Sequence, residues 1–257
     1  MKHSNTKAVL LVGGLGTRLR ALVPSAPKAL ANVGSRPFLE LLVEQLASQG
    51  IRNLVLCTGY LAEHIEQHFG DGRNFGVAIE YSRDPSALGT GGAVKFAQAY
   101  LQGIDDFFVM NGDSYLEISY HELLQQHHSY RAAATLAVVR VEDAGRYGTV
   151  RIDSDDRIVE FCEKTGDHSP GVINAGVYVF NSSVLRRIPA GQVSLEKDFF
   201  PKLLDDGVFA VRQRGVFIDI GTPADYSLAQ QLLGGSSTPA SGGQVRSSTV
   251  GQGKEIS

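Results

Sequence analysis

Several features that would place a chain of 257 residues in a special class are scarce or missing. Only two cysteines occur, Cys57 and Cys162. They lie far apart in unrelated contexts, so we expect no disulfide or cysteine metal site and interpret Cys57, in an apolar strand run, as a buried free thiol. No apolar run approaches the roughly 18 residues of a membrane-spanning helix. The first seven residues contain no signal-peptide core, from which we expect a cytoplasmic protein without a membrane partner.

Positive charge is not in excess either. The chain carries 24 Lys plus Arg against 27 Asp plus Glu, a formal net charge of −3, which gives no electrostatic case for nucleic acid as a partner. The apolar share of 43% and the charged share of 20% are typical of a globular protein with a sizeable core. Any anion-binding site must therefore be local.

A buried strand followed by a glycine-rich loop opens the chain. Five apolar residues, 8–12, run directly into three glycines at positions 13, 14 and 16, as a strand buried on both faces does when it ends in a loop. Glycines let backbone N–H groups approach an anion, and cationic side chains beyond them complete a phosphate site. The candidates for that role are Arg18, Arg20 and Lys28.

Two well-known glycine motifs are absent from this loop. The Walker motif needs Gly-Lys-Ser/Thr shortly after its first glycine, and none follows Gly13 or Gly14. The dinucleotide fingerprint fails because Leu19 stands where its third glycine belongs, and no acidic residue appears before Glu40. A nicotinamide-dependent oxidoreductase is therefore disfavoured. On the glycines alone, a tight turn in an α/β fold remains an equal interpretation.

The order of apolar segments predicts an α/β fold. A helix from residue 38 to Gly50, a strand at 54–56, a helix at 61–69 and a strand at 77–81 predict a parallel, Rossmann-like sheet with helices on both faces. In the second half, two short strands around an Asp-rich turn between residues 147 and 161 predict an inserted β-hairpin, so the sheet is mostly parallel but mixed. We expect one domain over residues 1–233 and a disordered tail over 234–257.

Two further regions receive a local interpretation. Residues 88–93 are glycine-rich and predict a strand-to-helix loop before a helix at 94–101. Ser194 is a candidate N-cap of a helix whose charges, Glu196 among them, are expected on a solvated face.

Two aspartates stand at or near the ends of apolar strands. Asp113 follows the apolar run 107–110, where a carboxylate lies on the ligand side of a parallel sheet and suits Mg²⁺, although Asn-Gly-Asp is also good turn chemistry. Asp219 interrupts the apolar run 216–220, and a charge there is costly unless it is paired or binds a metal. We interpret both as candidate metal ligands.

The run GGLGTRLR…VPSAPKAL over residues 13–30 resembles the signature of the sugar-1-phosphate nucleotidyltransferases, usually GGxGTRLxPLTxxxPKPL. Ala21 and Ala29 depart from it at two positions where the signature has proline. Five motifs in matching order extend the resemblance over residues 7–233. The resemblance implies transfer of a nucleotidyl group from a nucleoside triphosphate to a sugar 1-phosphate, and no repeat of the β-helix type found in some relatives is visible.

The resemblance also implies roles for particular residues. Arg18 and Lys28 would be catalytic, and Asp113 and Asp219 would hold Mg²⁺. Residues implied at the nucleotide are Leu11, Gly13, Gly14, Gly16, Thr17, Gly89, Thr90 and Asn111. Residues implied at the sugar phosphate are Tyr147, Gly148, Glu163, Lys164 and Asn174.

Within the family, residues 18–40 look most like the D-glycero-D-manno-heptose 1-phosphate guanylyltransferases, which implies GTP as the triphosphate and a nucleotide-sugar precursor of a capsule, lipopolysaccharide or S-layer glycan as the product. Mannose 1-phosphate with GTP is the nearest alternative, ahead of glucose-1-phosphate thymidylyl or uridylyl transfer. A hypothesis from another class is a non-catalytic regulatory subunit that binds sugar nucleotides. The sequence leaves the oligomeric state open, a homodimer included.

Overall fold

A nine-stranded mixed sheet forms the centre of the chain in the computed structural model, which describes residues 6–14, 16, 19, 26–162, 164, 166 and 168–235. The strands, in chain order, are β1 (Lys7–Leu11), β2 (Asn32–Val33), β3 (Arg36–Pro37), β4 (Asn53–Thr58), β5 (Ala78–Arg83), β6 (Asp106–Asn111), β7 (Ser114–Leu116), β8 (Ala134–Val141), β9 (Thr149–Ile152), β10 (Ile158–Cys162), β11 (Gly171–Asn181), β12 (Val208–Gln213) and β13 (Phe217–Asp219). The α-helices are α1 (Phe38–Ser48), α2 (Ala62–Phe69), α3 (Gly89–Phe96), α4 (Tyr120–Tyr130), α5 (Phe200–Leu203) and α6 (Pro223–Leu233).

The first half of the chain builds the parallel part of the sheet. Strands β5, β4, β1 and β6 lie side by side and parallel, so their carboxyl ends meet at one edge. Strand β11 pairs antiparallel with both β6 and β8. The β9–β10 hairpin pairs with the start of β11, where Thr149 stands opposite Ile173. This order confirms the expected mixed sheet with an inserted hairpin.

Both faces of the sheet are buried, and β1 shows why its sequence is continuously apolar. Ala8 and Leu10 point into one core cluster and Val9 into the other, all with no exposed surface. Helices α1, α2, α4 and α6 contribute to the first cluster, and α3 with the segment 195–203 contributes to the second. A strand covered on both sides has no solvent face on which polar residues could alternate.

Five of the labelled elements have no counterpart in the predictions: β2, β3, β7, β12 and α4. Helix α4 buries only Tyr120, Leu123 and His127 among eleven residues, so its apolar periodicity is weak. Its start does carry a capping signal, since the Ser119 side chain accepts a hydrogen bond from the Glu122 N–H at 3.2 Å. Strands β7 and β12 are short or half-buried and are stabilised by pairing with distant parts of the chain.

The prediction of a loop over residues 88–93 is wrong in its local structure, because α3 already begins at Gly89. The glycines permit close packing instead of a loose turn. A Cβ on Gly92 would lie 2.2 Å from the Gly191 carbonyl oxygen, and one on Gly89 would lie 2.5 Å from that of Val193. The helix therefore packs with its first turn directly on the backbone of residues 191–193.

Other predictions are confirmed or lie outside the described residues. Cys57 is a buried free thiol, and burial raises its pKa. Helix α6 is followed by Gly234, whose N–H donates to the Gln230 carbonyl, while residues 236–257 of the predicted tail lie outside the described part. Of the helices described, none has the length and apolar content that a bilayer crossing requires.

Candidate active site

The glycine loop after β1 lies against Lys28. Gly16 has a φ of +57°, in the left-handed region, and a Cβ there would lie 2.8 Å from the Lys28 Cβ. Only glycine meets both conditions without strain. The loop can therefore close over the short helical turn Lys28–Leu30, which carries Lys28 at its first position.

Lys28 lies between Asp113 and Asp219, the two aspartates that the sequence predicts as metal ligands. Its Nζ donates to Asp113 Oδ2 at 2.7 Å and lies 3.8 Å from Asp219 Oδ1. The Lys28 side chain is only 13% exposed, so little solvent screens these contacts. One cation and two carboxylates thus form a compact group with one negative charge in excess.

A small antiparallel ribbon brings the two aspartates together. Strand β13 pairs with β7 so that Asp219 stands opposite Ser114, and the Ile220 N–H donates to the Asp113 carbonyl at 2.9 Å. Residues 113 and 219 are 106 positions apart in the chain, and this pairing fixes them side by side. The ribbon lies directly beyond the carboxyl end of β6.

The excess negative charge affects Asp219. Burial raises its pKa, and the neighbouring charge of Asp113 raises it further, while Lys28 and the N–H of Gly221 oppose the shift. The ionised form of Asp219 is therefore unfavourable in the folded protein until further positive charge arrives. Two carboxylates with an unmet demand for a cation fit Mg²⁺, which Asp113 and Asp219 would hold through their oxygens. Within the described ranges no set of three or more His, Cys, Asp or Glu side chains is grouped as a metal site.

A cavity of about 180 Å³ opens between the glycine loop and this charged group. Its walls come mainly from the end of β1, the glycine loop, the Lys28 turn and the β6–β7 connection. The predicted residues that line it are Leu11, Gly14, Gly16, Lys28 and Asp113. The structure therefore brings part of the predicted nucleotide loop, one predicted catalytic residue and one predicted metal ligand to a single cavity.

Gly112 allows the β6–β7 connection to cross the end of β1. A Cβ at this position would lie 2.4 Å from Val12 Cγ1 and 2.8 Å from the Leu11 carbonyl oxygen. We expect Gly112→Ala to lower the free energy of unfolding by about 1–3 kcal/mol, because the added methyl overpacks a closed contact. Urea denaturation measures the change. Gly14→Ala is the matched control, since among the described residues, its chain neighbours apart, no atom lies within 4 Å of its Cβ position. An equal loss in both variants would contradict the packing argument.

A second cavity has a volume of about 430 Å³, and the segments 111–114 and 219–221 contribute lining residues to both cavities. The hairpin strand β9, the start of β11 and the segment 194–201 surround it. The predicted residues that line it are Asn111, Tyr147, Gly148, Lys164, Asn174 and Asp219. The predicted sugar-phosphate residues that the structure describes thus share one cavity, with Lys164 exposed at its rim.

Glu196 also lines this cavity, which corrects the expectation that its helix carries only solvated charges. Its carboxylate accepts hydrogen bonds from Thr90 at 3.0 Å, Ser194 at 2.9 Å and the buried Tyr178 hydroxyl at 3.3 Å. The Tyr178 hydroxyl in turn accepts from Asn174 at 2.9 Å. No spacing in the sequence signals this network, because its members come from three separate segments.

The Thr90 hydroxyl therefore makes its hydrogen bonds within the protein. It donates to Glu196 and accepts from the Leu195 N–H at 2.7 Å. Neither Thr90 nor Gly89 lines the two cavities. Gly13 does not line them either, but its backbone packs on that of Gly59.

Arg146 is another residue that the sequence interpretation missed. It donates to Asp225 and to the Tyr147 hydroxyl, and to Thr222 at 3.3 Å, which ties the β8–β9 connection to the first turn of α6. This turn directly follows Asp219, so Arg146 helps to fix the strand end that carries the carboxylate. The sequence did offer one signal for a role of Arg146 at the site, since it directly precedes the predicted site residues Tyr147 and Gly148.

Three predicted site residues, Thr17, Arg18 and Glu163, lie outside the described residues, as does Arg20. Their assignments remain predictions.

An α/β sheet whose first strand ends in a glycine loop, with a lysine and two carboxylates at the same edge, defines a class of phosphate-handling nucleotide enzymes. The nucleotidyl transferase family model matches residues 7–234. The chain belongs to this family and is a nucleotidyltransferase. The resemblance read from its motifs is thereby confirmed.

Individual relatives agree with this assignment. The chain is 40% identical over 263 residues to a mannose-1-phosphate guanylyltransferase of Mycobacterium tuberculosis, covering 100% of this chain and 73% of the relative. It is 39% identical over 230 residues to a D-glycero-α-D-manno-heptose 1-phosphate guanylyltransferase of Aneurinibacillus thermoaerophilus, covering 88% and 98%. A crystal structure of HddC from Yersinia pseudotuberculosis, also solved as a complex with GMP-PN, superposes with a TM-score of 0.79 at 33% identity over 88% of this chain and 98% of that one.

Proposed function

We propose that the chain is a sugar-1-phosphate guanylyltransferase that uses GTP and D-glycero-D-manno-heptose 1-phosphate. An oxygen of the sugar phosphate attacks the α-phosphorus of GTP. The bond from that phosphorus to the oxygen bridging to the β-phosphate breaks, so that pyrophosphate leaves and a GDP-sugar forms. The relatives from Aneurinibacillus and Mycobacterium, both guanylyltransferases of manno-configured sugar phosphates, support the choice of base and sugar class.

The observation that carries the proposal is the position of one partly buried ammonium group between two carboxylates, of which Asp113 lines the first cavity and Asp219 the second. The reaction has to bring two anions together, and each pair of unit charges at 4 Å opposes this by about 4 kcal/mol at an effective dielectric constant near 20. A fixed cation at the junction lowers this repulsion without having to reorganise during the reaction. Lys28 is that cation in our proposal, and the attacking phosphate oxygen is already ionised, so no general base is needed.

The two cavities suit the two substrates. We assign the triphosphate to the cavity beside the glycine loop, where Gly14 and Gly16 leave backbone open to phosphate oxygens. We assign the sugar phosphate to the larger cavity, where the amide of Asn174 and the carboxylate of Glu196 offer partners for ring hydroxyls and Lys164 offers a charge for the phosphate. Arg18 keeps its predicted role at the triphosphate.

Mg²⁺ would be held by Asp113 and Asp219 in this proposal. When bound, it supplies positive charge to phosphate oxygens and relieves the cost of the ionised Asp219. The chain's own residues contribute the two carboxylates and a lysine that limits their mutual repulsion. Oxygen ligands of this kind suit Mg²⁺ better than zinc or copper.

Mannose 1-phosphate is the second candidate for the acceptor, because the mycobacterial relative is as similar to this chain as the heptose-specific one. A panel of GTP, ATP, UTP and dTTP against heptose, mannose and glucose 1-phosphates, with Mg²⁺ and pyrophosphate release as the readout, separates the candidates. We expect the highest kcat/KM with GTP and the heptose. A preference for UTP or dTTP would overturn the assignment of the base. Binding of a GDP-sugar without pyrophosphate release from any pair would indicate a regulatory subunit.

We expect Lys164→Ala to raise the KM for the sugar phosphate by about tenfold. One charge-assisted hydrogen bond is worth roughly 1.5–3 kcal/mol. Because Lys164 is exposed at the rim of the cavity, solvent screens part of this energy. The KM for GTP should change less than twofold. Steady-state kinetics with each substrate varied in turn measures both constants. Lys202→Ala removes an exposed lysine outside both cavities and should change neither. A defect confined to GTP would contradict the assignment of Lys164.

A further inference from the structure

The largest of the three cavities described lies at the edge of the sheet opposite the proposed active site. Its volume is about 670 Å³, against 180 and 430 Å³ for the other two. Asp106, which lines it, begins β6, and Asn181, which also lines it, ends β11 directly opposite. The length of β6, roughly 17 Å at ~3.3 Å per residue, therefore separates this cavity from the active site. The wall of this arginine cavity includes Arg131, Arg186 and Arg187.

The acidic side chains of the arginine cavity are already paired. Asp106 is hydrogen-bonded through one carboxylate oxygen to His128 at 3.0 Å and through the other to His127 at 3.3 Å. Burial acts to raise the pKa of Asp106, but its hydrogen bonds, that with His127 foremost, lower it to about 2. The other acidic residue in the wall, Asp206, pairs with Arg187. Both carboxylates therefore have their partners within the protein.

Two arginines of this cavity have no acidic partner among the described residues, Arg131 and Arg186. They come from separate segments, the end of α4 and the helical turn Ser182–Arg186. The chain carries a net charge of −3, so a general surplus of positive charge does not explain them. Arg131 has a φ of +49°, where glycine is the residue that fits without strain, so the backbone does not explain this arginine either.

The surroundings of the two guanidinium groups favour an anion. Val184 and Ala132 are buried and form an apolar part of the wall. A cleft with low-dielectric walls and charges of one sign concentrates the electric field and attracts counter-ions. A guanidinium group matches phosphate in particular, because two parallel N–H groups can donate to two phosphate oxygens.

We propose that the arginine cavity is a second binding site, which takes a phosphate ester of a small hydroxyl-bearing molecule and holds its phosphate with Arg131 and Arg186. The site does not depend on the proposed function. Inorganic phosphate would fill only a small part of 670 Å³, whereas this volume lies in the range of small-molecule pockets. Ser183 and His128, which also line the cavity, offer hydrogen-bond partners for the hydroxyl groups.

Labelling of arginine side chains with phenylglyoxal, quantified for each residue by mass spectrometry, tests the proposal in the wild-type chain. The probe is glucose 6-phosphate, a hydroxyl-bearing phosphate ester without a phosphate at carbon 1. It should slow the labelling of Arg131 and Arg186 by about fivefold or more, because a guanidinium paired with phosphate is withdrawn from the reagent. Arg140 is the internal control, since it is exposed, lines none of the three cavities and should be labelled at an unchanged rate.

A variant shows whether the two arginines hold one ligand. In Arg186→Gln, the concentration of glucose 6-phosphate that half-protects Arg131 should rise by about tenfold, as expected for the loss of one charge-assisted pair. Arg140→Gln should leave this concentration at the wild-type value. An unchanged value in Arg186→Gln would overturn the shared site.

Two further arms of the labelling experiment identify the occupant. Potassium chloride at matched ionic strength should give no protection, and protection equal to that by glucose 6-phosphate would show charge screening and overturn the site. Inorganic phosphate should protect only at higher concentration than the ester. Protection by inorganic phosphate at an equal or lower concentration would overturn the ester and indicate a site for free phosphate.

Discussion

Lys28→Ala lowers kcat with GTP and the sugar phosphate by about 10³-fold, while the KM for GTP changes by less than threefold. This is the expected result if the ammonium group acts on charge that is concentrated only when the two phosphates meet. Removing one preorganised donor to such charge costs about 10²–10³ in kcat in other enzymes, and here the donor is also a full positive charge. Steady-state kinetics at saturating Mg²⁺ measures both constants.

Two comparisons make this test specific. Lys202→Ala removes an exposed lysine that lines neither cavity, and its kcat should match the wild type. Lys28→Ala leaves Asp113 and Asp219 facing each other without their shared cation, which could destabilise the fold. A melting curve of the variant therefore checks that it is folded. Wild-type turnover in a folded Lys28→Ala protein would remove Lys28 from the mechanism.

Asp113→Asn and Asp219→Asn each abolish Mg²⁺-dependent turnover, with an expected loss of about 10³-fold or more. An amide oxygen is a weaker ligand than a carboxylate, and either change halves the negative charge available to the cation. The rate as a function of Mg²⁺ concentration gives the readout. Asp71→Asn, at an exposed position, should keep both the rate and the Mg²⁺ dependence.

Asp219→Asn should lower activity but should not lower stability. The raised pKa of Asp219 means that the folded protein holds its ionised form at a cost, which appears as the pH rises above the pKa of the unfolded chain. At pH 7.5 without Mg²⁺, the variant should therefore melt at or above the wild-type temperature. A folded Asp219→Asn protein that keeps full Mg²⁺-dependent activity would show that the metal site lies elsewhere.

Local patterns in the sequence were sufficient for much of the fold. The apolar run of residues 8–12 and the helix from 38 to Gly50 depend on neighbours within a few positions, and these elements are confirmed. The hairpin around residues 149–162 is also confirmed, since its Asp-rich turn is a local signal. The prediction of a loop over residues 88–93 was wrong, because these glycines allow close packing on residues 191–193, about a hundred positions away in the chain.

The sequence by itself determined the class of chemistry in this chain. A glycine loop, a lysine and two aspartates at strand ends can each be recognised from a short local motif. Only the tertiary structure decided that Asp113 and Asp219 lie close enough to share Lys28, because their meeting depends on the β7–β13 pairing, and a strand of three residues has no periodicity to detect. The same holds for the hydrogen bonds that Glu196 accepts from Thr90, Tyr178 and Ser194. Hydrogen-bond satisfaction is a property of groups that meet in space, so it cannot be read from residues considered in order.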